Sequence, residues 1–204
     1  MNGITYQKFK RLLDIILSFC FIVLSLPITI LIFLILFLNF KHFPIFRQKR
    51  MGKDYKQFDI YKFQTMVDNS ESIFKHFSSS LKTEYYKNYK LENDPRVTKI
   101  GKLFRKLSLD ELPQLLNVLK GDMSLVGPRP VVLEELKKFG KHSKKLLKVK
   151  PGMTGLWQVN GHNYLTYDQR IELDMFYIDN MSLKLDIKIF LKTFIVIFKR
   201  RGSK

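Results

Sequence analysis

The sequence predicts a mostly helical α+β fold. In it, a re-entrant membrane helix–break–helix hairpin (residues 1–40) holds one folded domain (residues 41–204) at a bilayer surface. Three patterns lead to this prediction. Residues 15–38 carry no charged side chain. Apolar and polar residues alternate on both sides of "MGKD", which indicates a small β-hairpin. Elsewhere in the domain, apolar residues recur every three or four positions, which is typical of amphipathic helices.

The apolar segment at residues 15–38 is long enough for a membrane anchor, because about 20 apolar residues cross a bilayer as a helix. Pro27 lies near its middle and removes a helical hydrogen bond, and Ser25 could satisfy a carbonyl group freed by the break. Each half would be about 18 Å long, shorter than the ~30 Å hydrocarbon core. Both ends carry cationic flanks, which prefer the cytoplasmic side. The flanks are Lys8, Lys10 and Arg11 before the segment, and Lys41, Arg47, Lys49, Arg50 and Lys53 after it. The sequence therefore favours a re-entrant hairpin, with a kinked helix that spans the bilayer as the alternative.

The charge of the chain limits its partners. The 204 residues include 36 Lys and Arg against 18 Asp and Glu, a formal net charge of +18. Such a charge favours anionic lipid head groups, phosphorylated substrates or nucleic acid as partners. The single cysteine, Cys20, excludes a disulfide framework and a cysteine-based zinc site within the chain.

The elements of the domain follow from the same patterns. Two strands within residues 44–66 form the hairpin, and amphipathic helices are predicted at residues 70–90, 99–107, 109–120 and 131–148. Gly121 would end the third of these helices. The segments "GDMSLVGPRP" and "PGMTGLWQVNGH" are predicted loops, because glycine and proline interrupt them. A last amphipathic helix within residues 182–201 would lie on the domain or in the lipid interface.

Two adjacent carboxylates, Asp110 and Glu111, stand in the segment "KLSLDELPQLL". Ser108 and Glu111 have the spacing of a helix capping box, so the pair could serve only to start a helix. Pro113 fits better if Asp110 opens the helix, because proline is tolerated in a first turn. Either way, both carboxylates are predicted at a helix N-terminus.

The surroundings of this pair indicate phosphate chemistry. A helix start attracts phosphate as well as carboxylate. Arg105 lies five residues before Asp110, and Arg129 stands between two prolines on a loop stiffened by Gly127. Arginine can grip phosphate with two hydrogen bonds. Beside a membrane anchor, this pattern indicates phosphoryl chemistry next to lipid head groups. Local sequence alone leaves the helix cap and the reaction centre both open.

Longer motifs carry a resemblance to a known family. They are "FRQKRMGK", "YKFQTM", "NDPRVTKIGKLFRKLSLDELPQLLNVLKGDMSLVGPRP", "VKPGMTGLWQVNG" and "LDMFYIDNMSLKLDIKIFLKT". From about Lys10 to Lys204, the chain resembles the bacterial sugar transferase family, the monotopic polyprenyl-phosphate phosphoglycosyl transferases. The insert between "KFQTM" and "NDPR", together with "GLWQV", is most similar to the subgroup of undecaprenyl-phosphate galactose and glucose phosphotransferases. We expect the minimal catalytic unit, without the N-terminal multi-span region of many members.

The resemblance implies a reaction in two steps. Asp110 would attack a UDP-sugar, release UMP and carry the phosphosugar, which undecaprenyl phosphate would then accept. Glu111 would assist, and Asp110 and Glu111 would hold Mg²⁺. The donor sugar would be a hexose, galactose or glucose, with a UDP-N-acetylated amino sugar as the alternative. The product would start the synthesis of a surface glycan such as exopolysaccharide, capsule or lipopolysaccharide.

Further residues match positions of the family. Those implied to face substrate phosphates are Lys62, Arg105 and Arg129. Asp186 matches another polar position, with a contact to substrate as its implied role. The family usually has arginine where this chain has Gln64 and His162, so His162 would contact the substrate in place of that arginine.

The resemblance also implies where the protein works. The anchor would lie in the bacterial inner membrane, with the catalytic domain on its cytoplasmic face. The implied partners are a UDP-sugar, undecaprenyl phosphate and anionic membrane lipid, and not nucleic acid; a homodimer is left open. The competing hypothesis is an inactive basic scaffold that is tethered to the membrane.

Overall fold

A computed structural model of the chain describes residues 3–91, 93–161 and 164–199. Its helices are α1 (Gly3–Phe40), α2 (Ser70–Lys75), α3 (Ser79–Asn88), α4 (Lys99–Lys106), α5 (Gln114–Lys120), α6 (Leu133–Leu136), α7 (Ser143–Leu146), α8 (Leu156–Val159), α9 (Tyr167–Asp179) and α10 (Leu183–Phe198). Its strands are β1 (Ile45–Met51), β2 (Gln57–Phe63), β3 (Ser124–Val126) and β4 (Gly152–Thr154). Short 3₁₀ turns occupy Lys53–Tyr55, Leu109–Glu111 and Lys137–His142. The predicted class, mostly helical α+β with a small β-hairpin, is confirmed.

The apolar N-terminal segment is helical from Gly3 to Phe40, with Pro27 inside the helix. The re-entrant helix–break–helix arrangement of this segment stays a prediction. α1 continues through Pro27, which removes a single hydrogen bond from the helical ladder. Ser25 Oγ donates to the carbonyl oxygen of Ile22 over 3.4 Å, one residue before Val23, whose carbonyl loses its partner at Pro27. The part from Thr5 to Phe40 is long and apolar enough to cross a membrane, judged by length and composition.

One face of α1 packs against the domain along both halves of the helix. In the first half, Arg11 donates to two carbonyl oxygens at the end of α5, over 2.6 and 2.8 Å. Asp14 accepts from the backbone amide of Leu125 over 2.9 Å. In the second half, Ile32 and Leu36 are buried against aromatic side chains of β2 and α4. Apolar side chains on the remaining surface of α1 are largely exposed.

The predicted β-hairpin is confirmed. β1 and β2 pair antiparallel, with Ile45 opposite Phe63 and Met51 opposite Gln57. In β2, Phe58, Ile60 and Phe63 are buried, and Lys62 lines the cavity described below.

Two predicted helices, at residues 70–90 and 131–148, are each divided into shorter elements in the structure. Residues 70–90 form α2 and α3, because Ser78 interrupts them and caps α3 by accepting from the backbone amide of Leu81. Residues 131–148 form α6, a 3₁₀ turn and α7. Gly140 causes this division, since its φ of 47° and ψ of −122° are outside the helical region.

Both predicted loops contain secondary structure. β3 lies within "GDMSLVGPRP" and pairs in parallel with β4, which lies within "PGMTGLWQVNGH" and is followed by α8. Glycines make this pairing possible, because a Cβ atom on Gly152 would lie 2.1 Å from the amide nitrogen of Gly127. The amide of Gly152 also donates to the carbonyl oxygen of Pro128 over 2.7 Å. These contacts fix the backbone immediately before Arg129.

The C-terminal part is more helical than predicted. α9 was not expected from the periodicity of its residues, whereas α10 was. On α10, Ile189 is fully buried, but Ile187 and Leu191 are 48% and 57% exposed. The domain-facing side of α10 is therefore rotated from the predicted apolar face, and part of that face stays open. Its place in a lipid interface remains a prediction.

Candidate active site

A cavity of about 1220 Å³ opens between the β-hairpin, α2 to α4, the turn before α5 and the loop after β3. The predicted site residues that line it are Lys62, Arg105, Asp110, Glu111 and Arg129. They come from separate segments of the chain, so their proximity is a result of tertiary packing.

Asp110 and Glu111 lie in the 3₁₀ turn Leu109–Glu111, before the start of α5. Ser108 has a left-handed backbone (φ 55°), and its side chain makes no capping hydrogen bond. The N-cap residue of α5 is Pro113. The predicted cap at Ser108 and the predicted helix start at Asp110 are therefore both wrong. The left-handed residue reverses the chain after α4 and lets the 3₁₀ turn line the cavity.

The two carboxylates have different environments. Asp110 is buried, whereas Glu111 is half-buried. Burial raises the pKa of Asp110 and the charge of Glu111 raises it further, while Lys62 and Arg105 oppose the rise. Burial also acts to raise the pKa of Glu111, but the charge and hydrogen bond of Lys62 outweigh it and lower that pKa. Asp110 is thus the more basic carboxylate of the pair.

Lys62 is held in the cavity by β2 and α5. Its Nζ atom donates to Oε1 of Glu111 over 2.5 Å. The fully buried Asn117 ties α5 to the strand. Its Nδ2 donates to the carbonyl oxygen of Asp59 (2.7 Å), and its Oδ1 accepts from the backbone amide of Tyr61 (3.0 Å). This link fixes the strand that carries Lys62 against the helix that follows Glu111.

Arg105 is positioned by the docking of α4 on the segment after β2. Its Nε donates to Oγ1 of Thr65 over 2.8 Å, a bond that does not use the terminal guanidinium nitrogens. Gly101 permits the close approach, because a Cβ atom there would lie 2.2 Å from the carbonyl oxygen of Thr65. Thr98 caps α4 by accepting from the amide of Gly101 over 2.9 Å.

Arg129 lines the same cavity as Asp110 and Glu111, on the loop after β3. Burial acts to raise the pKa of Glu111, whereas the positive charges of Lys62 and Arg129 act to lower it. Burial raises the pKa of Asp174 on α9 well above the usual value, and the charge of Arg129 partly offsets this rise. Arg129 is therefore close enough to act on both groups.

The cavity also reaches α1 through an apolar end. The apolar side chains that line this end include Phe21, Leu112, Met153, Phe190 and Phe194, and Ser25 of α1 is also in contact with the cavity. A single cavity thus joins a charged region to a hydrocarbon-like region. This arrangement suits an amphiphilic ligand with a phosphate head and an apolar tail.

The profile of the bacterial sugar transferase family matches residues 5–200 of the chain. The chain belongs to this family. It is 44% identical to the undecaprenyl-phosphate galactose phosphotransferase of Salmonella typhimurium, over 95% of this chain and 41% of that protein. It is 39% identical to the UDP-glucose:undecaprenyl-phosphate glucose-1-phosphate transferase of Klebsiella pneumoniae, over 98% of this chain and 41% of that protein.

Family members of similar length are also related to it. The chain is 38% identical to the exopolysaccharide production protein ExoY of Rhizobium meliloti, over 95% of this chain and 87% of that protein. By contrast, it spans only 41% of the length of the Salmonella relative. The resemblance of the sequence to bacterial sugar transferases is confirmed.

Asp186, predicted as a possible substrate contact, lies at the junction of α1, α9 and α10. It is 7% exposed and is not among the residues described around the cavity. Its Oδ2 accepts from the hydroxyl of Tyr6 and from Nζ of Lys10, both over 2.7 Å, and its Oδ1 accepts from the hydroxyl of Tyr177 over 2.7 Å. Asp186 therefore links α1, α9 and α10 through hydrogen bonds with Tyr6, Lys10 and Tyr177, a group called the Asp186 clamp below. Lys10, which belongs to the predicted cationic flank of the membrane segment, is engaged in this clamp.

The two departures from the usual family pattern have different outcomes. Gln64 lines the cavity and donates to Oδ1 of Asp68 over 2.6 Å. The same carboxylate oxygen contacts Nε2 of His42 over 2.8 Å, and the hydrogen bond to Asp68 raises the pKa of this histidine. Gln64 thus belongs to a polar cluster at the rim. His162 lies outside the described residues.

The acidic pair fits a Mg²⁺ ion that is shared with substrate. Within the described residues, no group of three or more His, Cys, Asp or Glu side chains could hold a metal ion by itself. However, Mg²⁺ is often bound by one or two carboxylates plus the phosphates of a substrate. Asp110 and Glu111 provide such a pair on the wall of one cavity. The donor set therefore fits.

Sequence reasoning missed the residues that orient the predicted ones. Asn117 had a detectable signal, since it is a polar residue among the leucines of an apolar helix face. Thr65 had none, because its role depends on α4, which begins more than 30 residues later. Three cavity-lining residues, Arg50, Glu135 and Arg170, were also missed, because each lies on an element whose position is set by distant contacts.

Proposed function

We propose that this protein transfers hexose-1-phosphate from UDP-galactose or UDP-glucose to undecaprenyl phosphate, and that it thereby starts the synthesis of a surface polysaccharide. One observation carries the proposal. A buried carboxylate, Asp110, lines the same cavity as three cationic side chains and an apolar end beside α1. The names of the Salmonella and Klebsiella relatives, which specify galactose and glucose transfer with undecaprenyl phosphate, support it.

In the proposed first step, an oxygen of Asp110 attacks the β-phosphorus of the UDP-hexose. The new bond joins the carboxylate oxygen to this phosphorus, and the bond to the bridging oxygen of the α-phosphate breaks. UMP leaves with the electron pair, so no proton is needed. Arg105 and Arg129 line the cavity where the pyrophosphate would lie and neutralise its negative charge.

In the proposed second step, a phosphate oxygen of undecaprenyl phosphate attacks the phosphorus held by Asp110. A pyrophosphate bond forms, the bond to Asp110 breaks, and the carboxylate is restored. The apolar end of the cavity supports this step, because a polyprenyl chain could follow it while the phosphate head lies at the carboxylates. Burial of apolar chain length would contribute about 25 cal/mol per Å² to acceptor binding.

Mg²⁺ is proposed as the cofactor, with Asp110 and Glu111 as its protein ligands. When bound, the ion would neutralise charge on the pyrophosphate. Lys62 would hold Glu111 in place through their ion pair, so that the glutamate presents its carboxylate toward the shared site.

A donor panel tests the proposed reaction. Purified protein in detergent with Mg²⁺ and undecaprenyl phosphate is expected to release UMP from UDP-galactose or UDP-glucose. UDP-N-acetylglucosamine and UDP-N-acetylgalactosamine serve as competing donors, and a reaction without undecaprenyl phosphate serves as the control for slow hydrolysis. UMP release only from an N-acetylated donor would replace the hexose assignment. No UMP from any donor would contradict the enzyme and favour a basic scaffold.

We also propose that α1 is re-entrant and that the catalytic domain lies on the cytoplasmic face of the bacterial inner membrane. Ile22 packs against the central core cluster, and Ile32 is buried in the cluster of Phe63 and Phe104. Leu112 borders both clusters, so both helix halves contact one folded unit. Ten helical positions, about 15 Å, separate Ile22 from Ile32. A straight crossing needs about twice that length.

Cysteine labelling tests this topology. In a Cys20→Ala background, single cysteines at Asn2→Cys and Lys204→Cys are expected to resist a membrane-impermeant maleimide in intact spheroplasts and to react after permeabilisation. Leu26→Cys, near the proline, is the control for a lipid-buried site and is expected to react poorly in both cases. Reaction of position 2 from the outside, with position 204 protected, would establish a helix that spans the bilayer.

A further inference from the structure

Buried polar atoms without partners lie on residues that line the cavity, and the part of the lining that these residues form is called the polar wall below. Among the described residues, these atoms are Nε of Arg50, Oε2 of Glu135, Oε1 of Gln158 and Nε of Arg170, and all four residues line the cavity. A fifth such atom, Oδ1 of Asp174, lies on α9 one turn after Arg170. Glu135 connects several of these residues, because its Oε2 lies 3.7 Å from Nη1 of Arg50 and its Oε1 accepts from Tyr167, three residues before Arg170 on α9. Buried polar atoms normally have partners, so several partnerless atoms around one cavity indicate that a ligand supplies them.

Glu135 is the most deeply buried of the four side chains that line this wall. It is 5% exposed, and its Oε1 accepts from the hydroxyl of Tyr167 over 3.0 Å. Its Oε2 lies 3.7 Å from Nη1 of Arg50, which is too long for a hydrogen bond. One oxygen is thus held and the other is available to a bound molecule.

Contacts with the protein also hold the side chains of Arg50 and Arg170, although one nitrogen of each guanidinium group has no partner. Arg50 donates to the carbonyl oxygen of Pro130 over 3.2 Å and to Oε1 of Gln48 over 2.6 Å. Arg170 stacks on the ring of Trp157, with 5.0 Å between the guanidinium carbon and the ring centroid. Their orientation is therefore set by protein contacts before any ligand arrives, as in a preformed site.

We propose that this wall, formed by Arg50, Glu135, Gln158 and Arg170, binds the hexose of the sugar nucleotide and discriminates between donor sugars. The proposal rests on the proposed function. It assigns a sugar subsite to residues outside the group that faces the reacting phosphate.

The chemistry of the wall favours a sugar over a phosphate. Its partnerless atoms comprise two donors and two acceptors, and each sugar hydroxyl can donate and accept. An ionised phosphate only accepts hydrogen bonds, so it would satisfy the two arginine donors but would leave the acceptors of Glu135 and Gln158 without partners.

The position of the wall favours the sugar over the uracil. Arg50 donates to the carbonyl oxygen of Pro130, the residue directly after Arg129, over 3.2 Å. Arg129 lines the same cavity as Asp110 and Glu111, so the wall lies next to the loop that would face the reacting phosphate. In a UDP-hexose, the sugar is bonded directly to the phosphate that reacts, whereas the nucleoside lies beyond a second phosphate.

Two variants test the subsite. Glu135→Gln keeps the shape of the side chain and removes its charge, and Gln158→Met removes the Oε1 acceptor at similar size. We expect each to raise KM for UDP-hexose about tenfold, the usual effect of one lost hydrogen bond to a charged or buried group. The ratio of kcat/KM for UDP-galactose and UDP-glucose should change as well, while inhibition by UMP, which carries no hexose, should stay within about twofold. Glu172→Gln, exposed on α9, is the matched control.

The readouts separate the alternatives. Equal weakening of UMP and UDP-hexose would place the nucleotide on this wall and overturn the proposal. If both variants left KM and the ratio of kcat/KM for UDP-galactose and UDP-glucose unchanged, the proposal would also be wrong. Water alone would then bind the polar atoms of the wall. If the wild type releases no UMP from any donor, the proposed function fails. Calorimetric binding of UDP-galactose and UDP-glucose against UMP, which needs no turnover, then decides the subsite by itself.

Discussion

Asp110→Asn is expected to reduce UMP release by at least about a thousandfold, the order of loss seen when a covalent nucleophile is removed. The amide has nearly the same shape but cannot form the acyl phosphate. With a UDP-hexose and no acceptor, the peptide that contains Asp110 should gain the mass of one hexose phosphate in the wild type and not in the variant. Rates of UMP release and mass spectrometry of the trapped protein measure both effects.

Two further variants make this result specific. Glu111→Gln should lose activity to a smaller extent, because it breaks the ion pair with Lys62 but leaves the nucleophile in place. Asp168→Asn, at an exposed position on α9, should behave as the wild type. An Asp110→Asn protein that keeps more than about a tenth of wild-type activity would exclude the covalent mechanism.

Asp186→Ala is expected to lower stability by about 3–5 kcal/mol, the cost of leaving one partner of a buried ion pair without the other. Lys10 would stay buried at the junction of α1 and α10, and the hydroxyls of Tyr6 and Tyr177 would lose their acceptor. For a chain of this size, the midpoint of thermal unfolding in detergent should fall by about 10 °C. A thermal shift assay with the complete chain measures this change.

An exposed ion pair provides the control for the clamp. Asp179 contacts Lys145 at the surface, with a side chain that is 58% exposed, so Asp179→Ala should cost at most about 1 kcal/mol. If Asp186→Ala left the unfolding midpoint unchanged and instead raised KM for the donor, the substrate contact implied by the family resemblance would be correct and the clamp would not.

The sequence by itself determined the features that depend on neighbouring residues. The uncharged run before residue 40 predicts a long apolar helix, and alternation around "MGKD" predicts a hairpin, because these patterns follow from the geometry of one helix or two adjacent strands. The motif around Asp110 and Glu111 identified the acidic pair and the family. None of these predictions required knowledge of a distant contact.

Only the tertiary structure decided the features that depend on residues far apart in the chain. Ser108 takes a left-handed conformation and Asp110 a 3₁₀ turn, although the local pattern favours a helix cap. Docking of α4 on Thr65 orients Arg105, and the close pairing of Gly127 with Gly152 positions the loop of Arg129. The physical reason is the same in each case. Local propensities are worth a few tenths to about 1 kcal/mol per residue, and burial and hydrogen bonding between distant segments outweigh them.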